Sequence, residues 1–263
     1  MIRNLSLKPF LQTSGGSSGI RRRRNSVAAS SSASVASTAI TDANMVRGVP
    51  QSQIDQLKGT RDHQATMTWE TVRDDYARVG ISITEQEARD IATAVEHYTF
   101  LHDTDMRKAM NLANAGREHD LTPTQQKELA EYRLIAEYCR VAPTLPYGSH
   151  KTVYRGIKNS TLTPEYSQAL YDLKVGDTWD VDRMPTSFST DKATAKAFSH
   201  YKGTKGIVIH MPTSTLKNSP SMRGLSHFAS ENEVFVTDYN WKVKRIADRR
   251  TRGDGYYHIY LDR

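Results

Sequence analysis

The stretch SENEVFV, residues 230–236, places two carboxylates at the start of an apolar run. Valine and phenylalanine favour extended structure, so residues 234–236 predict a strand. If this strand begins at Glu231, its period of two puts Glu231 and Glu233 on one face, about 6.5–7 Å apart along the chain. Like charges at that spacing repel, and a sheet built for stability alone would avoid them. The pair is therefore either two surface glutamates at the solvated start of a strand or part of a functional site.

Composition limits the class of protein that this 263-residue chain can be. The length allows one large domain or one domain with a tail. A hydrophobic content of 37% is low for a chain packed throughout, so part of it is predicted to lie outside a core. The single cysteine, Cys139, excludes an internal disulfide and a Cys-based zinc site. The histidines show no ligand spacing and no apolar run reaches 18 residues, so neither a metal site nor a membrane span is predicted.

Positive charge is concentrated near the N-terminus. Residues 1–50 hold seven lysine and arginine residues against one aspartate, whereas the rest of the chain carries a net charge of only +1. The basic balance is therefore weak support for a nucleic-acid-binding core. Residues 1–50 are also rich in serine and alanine and cannot fold alone. A type III secretion signal, an organellar transit peptide and a flexible basic tail all remain open, and the arginine run 21–24 would also suit RNA binding or nuclear import.

The pattern becomes helical from about residue 51 to residue 146. Thr84 and Thr122 are each followed three residues later by Glu or Gln, the pattern of a capping box. Pro123 stands directly after Thr122, in the first helical position that proline favours. Apolar residues then recur at helical spacing, and Cys139 falls on one such stripe, which is typical of a core residue.

Short strands and turns follow residue 146. Helices first and strands afterwards is the pattern of an α+β protein rather than of a repeated strand–helix–strand unit. The chain has neither a Gly-x-Gly-x-x-Gly motif nor a Walker loop, so a Rossmann or P-loop nucleotide site is not predicted. The predicted strands include residues 153–157, 186–190, 206–211, 234–237, 241–246 and 256–261.

Three elements of the strand-rich part occur in a fixed order. They are Arg155 beside Gly156, the serines at 187–189, and the pair Glu231 and Glu233. This order and spacing, with the turns and terminal strands around it, resemble the Arg-Ser-Glu class of mono-ADP-ribosyltransferases. Together with the Ser-rich leader, the chain looks most like the type III secreted effector transferases of plant-pathogenic bacteria.

The resemblance covers about residues 68–263 and implies the domain organisation and the fold. A disordered leader, residues 1–50, would precede a catalytic domain, residues 51–263. The implied fold is α+β, with a helical lobe over 51–146 and a mixed, mostly antiparallel two-sheet β core with an NAD cleft over 147–263. NAD is the implied co-substrate, and no metal is implied.

The resemblance also implies roles for individual residues. Arg155 would bind the pyrophosphate of NAD through its planar guanidinium, and the backbone of Gly156 would approach the nicotinamide carboxamide. Glu233 would stabilise the oxocarbenium that forms as the nicotinamide–ribose bond breaks, and would hold the ribose 2′-hydroxyl. Ser187 would hydrogen-bond Glu233 and fix its rotamer, and Ser189 is the second candidate for that contact.

The serine motif departs from the family's usual Ser-Thr-Ser. One register places the motif at residues 187–189, where phenylalanine replaces the threonine, and the other at residues 189–191, where aspartate replaces the last serine. The distance to the following residues Ala195 and Phe198 favours the first register. Because the motif departs from the pattern, a transferase fold without activity is also an open hypothesis.

Glu231 is predicted to select the acceptor. A guanidinium has a pKa above about 12 and is a poor nucleophile, and a neighbouring carboxylate can orient it and accept a proton as the bond forms. Within the resembling family, Glu-x-Glu accompanies arginine acceptors. Phe228 stands where members carry an aromatic residue on the substrate-recognition loop, although it could equally anchor a core. Tyr201 and Lys202 are expected to border the NAD phosphates.

The predicted function is mono-ADP-ribosylation of an arginine in a host protein, with NAD as donor, by an effector that a type III system delivers into the host cytoplasm. Targets in the resembling family include actin, small GTPases and RNA-binding proteins. A secretion chaperone is a candidate partner, and a monomer is expected. The alternatives are an NAD glycohydrolase, a basic-tailed RNA-binding or scaffold protein, and delivery to an organelle by the leader.

Overall fold

The computed structural model describes residues 44–62, 65–99, 103–146, 150–158, 164–179, 185–201, 203–216, 219–226, 229–237 and 240–263. Most of the predicted leader therefore lies outside the described residues. Two short strands, β1 (Met45–Val46) and β2 (Val49–Pro50), form an antiparallel ribbon, and Val46 is only 2% exposed. Packed structure thus begins before the predicted boundary at residue 51, because Val46 joins the core of the helices that follow.

Five α-helices make up most of the N-terminal part of the described chain, where a helical lobe is predicted. Thr84 and Thr122 are their N-caps where the capping boxes place them, and each hydroxyl accepts a bond of 3.2 Å from the backbone N–H three residues later. The side chains of Glu87 and Gln125 in turn accept a hydrogen bond from the backbone N–H of their cap residue. The helices are α1 (Gln51–Leu57), α2 (Trp69–Arg78), α3 (Glu85–His97), α4 (Asp103–Asn114) and α5 (Pro123–Val141).

The core of this helical lobe encloses one carboxylate. Asp75 is fully buried and accepts hydrogen bonds from Arg61, from Arg78 and from the hydroxyl of Tyr138. These partners offset the cost of removing the charge from water. Cys139 is buried close by, and burial raises the pKa of its thiol, so it is the core residue that its helical stripe predicts rather than a nucleophile.

The C-terminal part is built on a mixed sheet of seven strands in the order β4-β10-β11-β8-β3-β5-β9. Among these described strands only β8 and β11 run parallel, so the sheet is mostly antiparallel, and the α+β prediction is confirmed. The small strands β6 and β7 form a separate ribbon. The strands are β3 (Thr152–Ile157), β4 (Thr178–Trp179), β5 (Thr186–Ser189), β6 (His200–Tyr201), β7 (Thr204–Lys205), β8 (Ile207–Pro212), β9 (Glu233–Val236), β10 (Trp241–Asp248) and β11 (Tyr257–Asp262).

The expected two-sheet core appears as two parts of this one sheet. Strands β3 and β5 share a single register pair, Tyr154 with Ser189. Beyond that pair, β3 continues against β8, whereas β5 continues against β9. The five-stranded part and the two-stranded part therefore meet at one point, next to Arg155.

Helix α7 (Lys192–Ser199) lies across β3, and α6 (Pro164–Tyr171) precedes β4. The contact between α7 and β3 centres on Gly156. A Cβ atom at this position would overlap the carbonyl oxygen of Ala195 and come within 2.8 Å of the backbone nitrogen of Ser199. Close packing of the helix therefore requires glycine here, a reason that differs from the approach to nicotinamide expected from the resemblance.

A chain of polar side chains, two of them buried histidines, also joins α7 to the sheet. His210 Nε2 lies 2.9 Å from His258 Nδ1, and His258 Nε2 lies 3.0 Å from a carboxylate oxygen of Asp254. Asp254 pairs in turn with Lys196 of α7 at 2.7 Å. Burial lowers the pKa of His210 to about 3, so its ring is neutral at physiological pH. Helix α7 is thus held by the ion pair of Lys196 with Asp254 and by its close packing on Gly156 of β3.

Candidate active site

Glu233 opens strand β9 and is only 4% exposed. Ser189 stands opposite it on β5, and Ser187 stands opposite Phe235. Residues opposed across antiparallel strands project from the same face, so both serines share a face with Glu233. The hydroxyl of Ser187 donates a hydrogen bond to Glu233 Oε1.

Arg155 approaches this pair from β3. Its Nη1 donates to the backbone oxygen of Ser187 at 2.7 Å. Its charge also lies close enough to Glu233 to lower the pKa of that carboxyl. The arginine, the serine and the glutamate that the sequence singles out therefore come together, at the point where the two parts of the sheet diverge.

The environment of Glu233 favours the protonated acid in the free protein. Burial raises the pKa of its carboxyl from 4.5 to about 7. Hydrogen bonds from Ser187 and Ser226 and the charge of Arg155 oppose that rise, whereas the nearby Glu231 adds to it. A carboxyl with a pKa near the working pH is common at functional sites.

This raised pKa should make stability depend on pH. Between about pH 4.5 and 7 the folded chain binds more protons at Glu233 than the unfolded chain does. The stabilisation from that proton is fully present below pH 4.5 and is lost as the pH rises through about 7, a loss of at most about 3 kcal/mol. Glu233→Gln stays neutral, so its Tm should exceed that of the wild type by more at pH 8 than at pH 5. Calorimetric scans of both proteins across this range test it, and a constant difference would contradict the raised pKa.

Glu231 does not lie on the strand, so the expected spacing on one strand face is wrong. It ends a short 3₁₀ turn (Ala229–Glu231), and Asn232 has a φ of 50°. That left-handed conformation, which asparagine adopts more readily than most residues, breaks the extended backbone before Glu233. Glu231 is half-buried, and burial raises the pKa of its carboxyl.

Ser189 fixes the turn that carries Glu231. Its hydroxyl donates to the backbone oxygen of Glu231 at 2.5 Å and accepts from the backbone nitrogen of Asp191 at 3.0 Å. The contact with the carboxylate of Glu233 belongs to Ser187 instead. The two serines thus have different neighbours, and Ser187, the first residue of the register at 187–189, is the one that contacts the carboxylate of Glu233.

Ser226 is a further residue of the site, and no motif in the sequence marks it. It is 6% exposed and belongs to the segment 219–226, which we call the strap. The strap runs along the outer edge of β9, where the backbone nitrogen of Met222 donates to the backbone oxygen of Glu233 at 2.9 Å. The hydroxyl of Ser226 also lowers the pKa of the Glu233 carboxyl, so Ser226 lies close to that group. A lone serine in a loop carries no motif, so only its position in the fold reveals it.

Some predicted residues cannot be placed. Phe228 and Lys202 lie outside the described residues, as does the side chain of Tyr201. Among the residues that the structure describes, no group of three or more His, Cys, Asp or Glu side chains could hold a metal ion. Within the same part of the chain, no helix is both long enough and apolar enough to cross a membrane.

The structure is similar to solved structures of ADP-ribosyltransferases, the class that the sequence resembles. Vis, an ADP-ribosyltransferase toxin from Vibrio splendidus, matches 75% of this chain over 87% of its own, at 17% identity and a TM-score of 0.46. HopU1 of Pseudomonas syringae pv. Tomato matches 80% of this chain over 95% of its own, at 16% identity and a TM-score of 0.44. An ADP-ribosyltransferase from Clostridium botulinum matches 77% of this chain over 97% of its own, at 15% identity and a TM-score of 0.46.

No protein-family model matches the sequence, and no curated protein matches it. The function proposed below therefore rests on the residues of the site and their contacts.

Proposed function

We propose that this protein is a mono-ADP-ribosyltransferase that moves ADP-ribose from NAD to an arginine side chain of a target protein and releases nicotinamide. Two buried atoms carry the proposal. Glu233 Oε2 and Arg155 Nε have no hydrogen-bond partner among the described residues. Native proteins seldom leave buried polar atoms unpaired, so an acceptor and a donor left open in one site favour a bound ligand.

NAD offers a partner for each open atom. Its pyrophosphate is anionic and suits the N–H groups of Arg155, whose guanidinium is already oriented by the backbone oxygen of Ser187. Its nicotinamide ribose carries a hydroxyl next to the reacting carbon, which suits the free oxygen of Glu233. The hydroxyls of Ser187 and Ser226 would then keep the carboxylate of Glu233 in one rotamer.

Glu233 would act through its charge. When the bond between nicotinamide and ribose C1′ breaks, its electron pair leaves with nicotinamide and the ribose becomes an oxocarbenium ion. A fixed carboxylate in a buried site stabilises that positive charge more strongly in the transition state than in the ground state. The cationic nicotinamide ring of bound NAD would also favour the ionised form of Glu233, which the free protein holds only near or above pH 7.

Glu231 would serve the acceptor. A nitrogen of the arginine side chain bonds to C1′, and the proton that it loses passes to the carboxylate of Glu231. Burial raises the pKa of this carboxylate, which makes it the stronger base. Its place in a turn held by Ser189, outside strand β9, leaves it half-exposed and open to a protein substrate.

Replacing Glu231 with glutamine should separate the two activities. Transfer of ADP-ribose to a small guanidine such as arginine methyl ester should fall about a hundredfold or more, because the proton acceptor is lost. Hydrolysis of NAD should stay within a few-fold of the wild type, because Glu233, Ser187 and Arg155 are unchanged. Labelled NAD with separation of free from transferred ADP-ribose measures both rates.

The matched control for this experiment is Glu85→Gln, which changes an exposed glutamate of α3 and should leave both rates unchanged. Equal losses of transfer and hydrolysis in Glu231→Gln would count against a role confined to the acceptor. Free ADP-ribose with no labelled guanidine from the wild type would instead favour an NAD glycohydrolase, in which water reaches the half-exposed Glu231.

We also propose that the protein acts as an effector inside a host cell, on a host target. This part rests on the composition of residues 1–50 and on the sequence resemblance. Incubating host lysate with the protein and labelled NAD, followed by mass spectrometry of the labelled peptides, would identify the target and its arginine. Label on residues other than arginine would overturn the acceptor assignment.

A further inference from the structure

We propose that Ser226 is a positioning residue for Glu233, and that the strap makes the geometry of this carboxylate depend on the packing of the helical lobe. The inference rests on the proposed function, since it concerns the glutamate assigned there to NAD cleavage.

The strap covers an edge that the sheet leaves open. Strand β9 is the last in the hydrogen-bonded order and pairs with β5 on one side only. On its other side, Met222 donates to the backbone of Glu233 at 2.9 Å, and the backbone nitrogen of Phe235 donates to Pro220 at 3.0 Å. A bridge between Ser221 and Val234 lies between these bonds. The backbone of Glu233 is therefore held from both sides, by β5 and by the strap.

Ser226 reaches Glu233 because the strap ends in a turn. The backbone nitrogens of Leu225 and Ser226 donate to the backbone oxygen of Met222 at 3.1 and 2.8 Å. The backbone nitrogen of Met222 itself donates to the backbone oxygen of Glu233, so the turn brings buried Ser226 back towards Glu233, and its hydroxyl lowers the pKa of that carboxyl. Ser187 approaches the same carboxylate from β5. Two hydroxyls from separate elements restrict its rotamers more than one does.

The helical lobe anchors the other side of the strap. Met222 and Leu225 are buried in the core of the lobe. The backbone nitrogen of Met67 donates to the backbone oxygen of Arg223 at 3.0 Å. Gly224 has a φ of 91°, and a Cβ atom there would lie 2.6 Å from the backbone nitrogen and oxygen of Met67. Lobe and strap are thus in contact at backbone distance, and a shift of the lobe would move the turn that carries Ser226.

The test measures the ionisation of Glu233, which a merely structural role of Ser226 would not shift. A hydrogen bond donated to a carboxylate favours its ionised form, so Ser226→Ala should raise the pKa of Glu233 by about one unit. In NAD hydrolysis, the pH at which kcat/KM rises to half its maximum on the acid side should increase by the same amount. Ser226→Thr, which keeps the hydroxyl, should restore the wild-type profile. Ser221→Ala, at another buried serine of the strap, is the matched control and should leave the profile unchanged.

The coupling to the lobe has its own pair of variants. Gly224→Ala should lower kcat for NAD hydrolysis severalfold while KM for NAD stays within about twofold, because Arg155 is not displaced. Gly176→Ala is the control, because Gly176 has a similar φ of 93° but a Cβ atom there would meet no atom within 4 Å. The kcat of this variant should stay near that of the wild type. Equal effects of the two variants would overturn the coupling.

A second measurement separates this inference from the proposed function. The pKa of Glu233 can be followed in the free protein by NMR titration of ¹³C-labelled carboxyl groups, with no NAD present. If the wild type fails to cleave NAD, the proposed function is wrong. The titration would still show whether Ser226 affects the ionisation of Glu233. An unchanged pKa of Glu233 in Ser226→Ala would overturn the positioning role whatever the activity.

Discussion

Replacing Glu233 with glutamine should lower kcat/KM for NAD cleavage by about a hundredfold to a thousandfold, the range seen when one fixed electrostatic group is removed from an active site. Glutamine keeps the size of the side chain and its contacts with Ser187, so the fold should be preserved. The negative charge that would stabilise the oxocarbenium is absent. Hydrolysis and transfer should fall together, because both follow the cleavage of the same bond.

The rate of nicotinamide release from NAD, with and without a guanidine acceptor, measures this effect. Glu128→Gln is a matched control, because Glu128 is also a buried glutamate but lies in α5 of the helical lobe. The wild-type kcat/KM should rise with pH through about 7, as Glu233 ionises. A glutamine variant with more than a tenth of the wild-type kcat/KM would show that Glu233 is not the group that stabilises the transition state.

Replacing Gly156 with alanine should destabilise the fold by about 1–3 kcal/mol, the usual cost of adding atoms to a closely packed contact. The new methyl group would overlap the backbone of α7 at Ala195, and a backbone atom cannot rotate away as a side chain can. For a domain of this size we expect Tm to fall by about 2–12 °C. The rate of NAD cleavage should fall as well, because Arg155 directly precedes Gly156 on the same strand.

Thermal unfolding followed by circular dichroism measures this loss. Thr152→Ala is the control on the same strand, since it removes atoms at the start of β3 instead of adding them under α7. A wild-type Tm for Gly156→Ala would mean that α7 does not rest on β3 as closely as described. Retained stability with lost activity would instead favour the role in nicotinamide binding that the sequence resemblance implies.

Local signals in the sequence predicted the parts of the fold that local interactions determine. The capping boxes at Thr84 and Thr122 correctly mark two helix starts, because a cap and its partner lie three residues apart. The order of helices and strands follows for the same reason. The single pair between Tyr154 and Ser189, where the sheet divides, depends on residues far apart in the chain, and no local pattern encodes it.

Local sequence patterns also limit which residues of the site could be predicted. Arg155, Ser187 and Glu233 could be found because they lie on strands with recognisable order. The displacement of Glu231 into a turn was missed, although asparagine at 232 gave a weak signal, since this residue tolerates a left-handed backbone better than most. Ser226 gave none, because its contact with Glu233 depends on how the strap packs between β9 and the helical lobe.

The position of β11 in the sheet has a consequence for folding. It lies in the interior of the sheet, between β10 and β8, although β8 is far from it in sequence. Pairings of such long sequence separation form late, because loop closure precedes them. The helices of the lobe instead form through local contacts. We therefore expect the helices to form before the sheet that brings Arg155, Ser187 and Glu233 together.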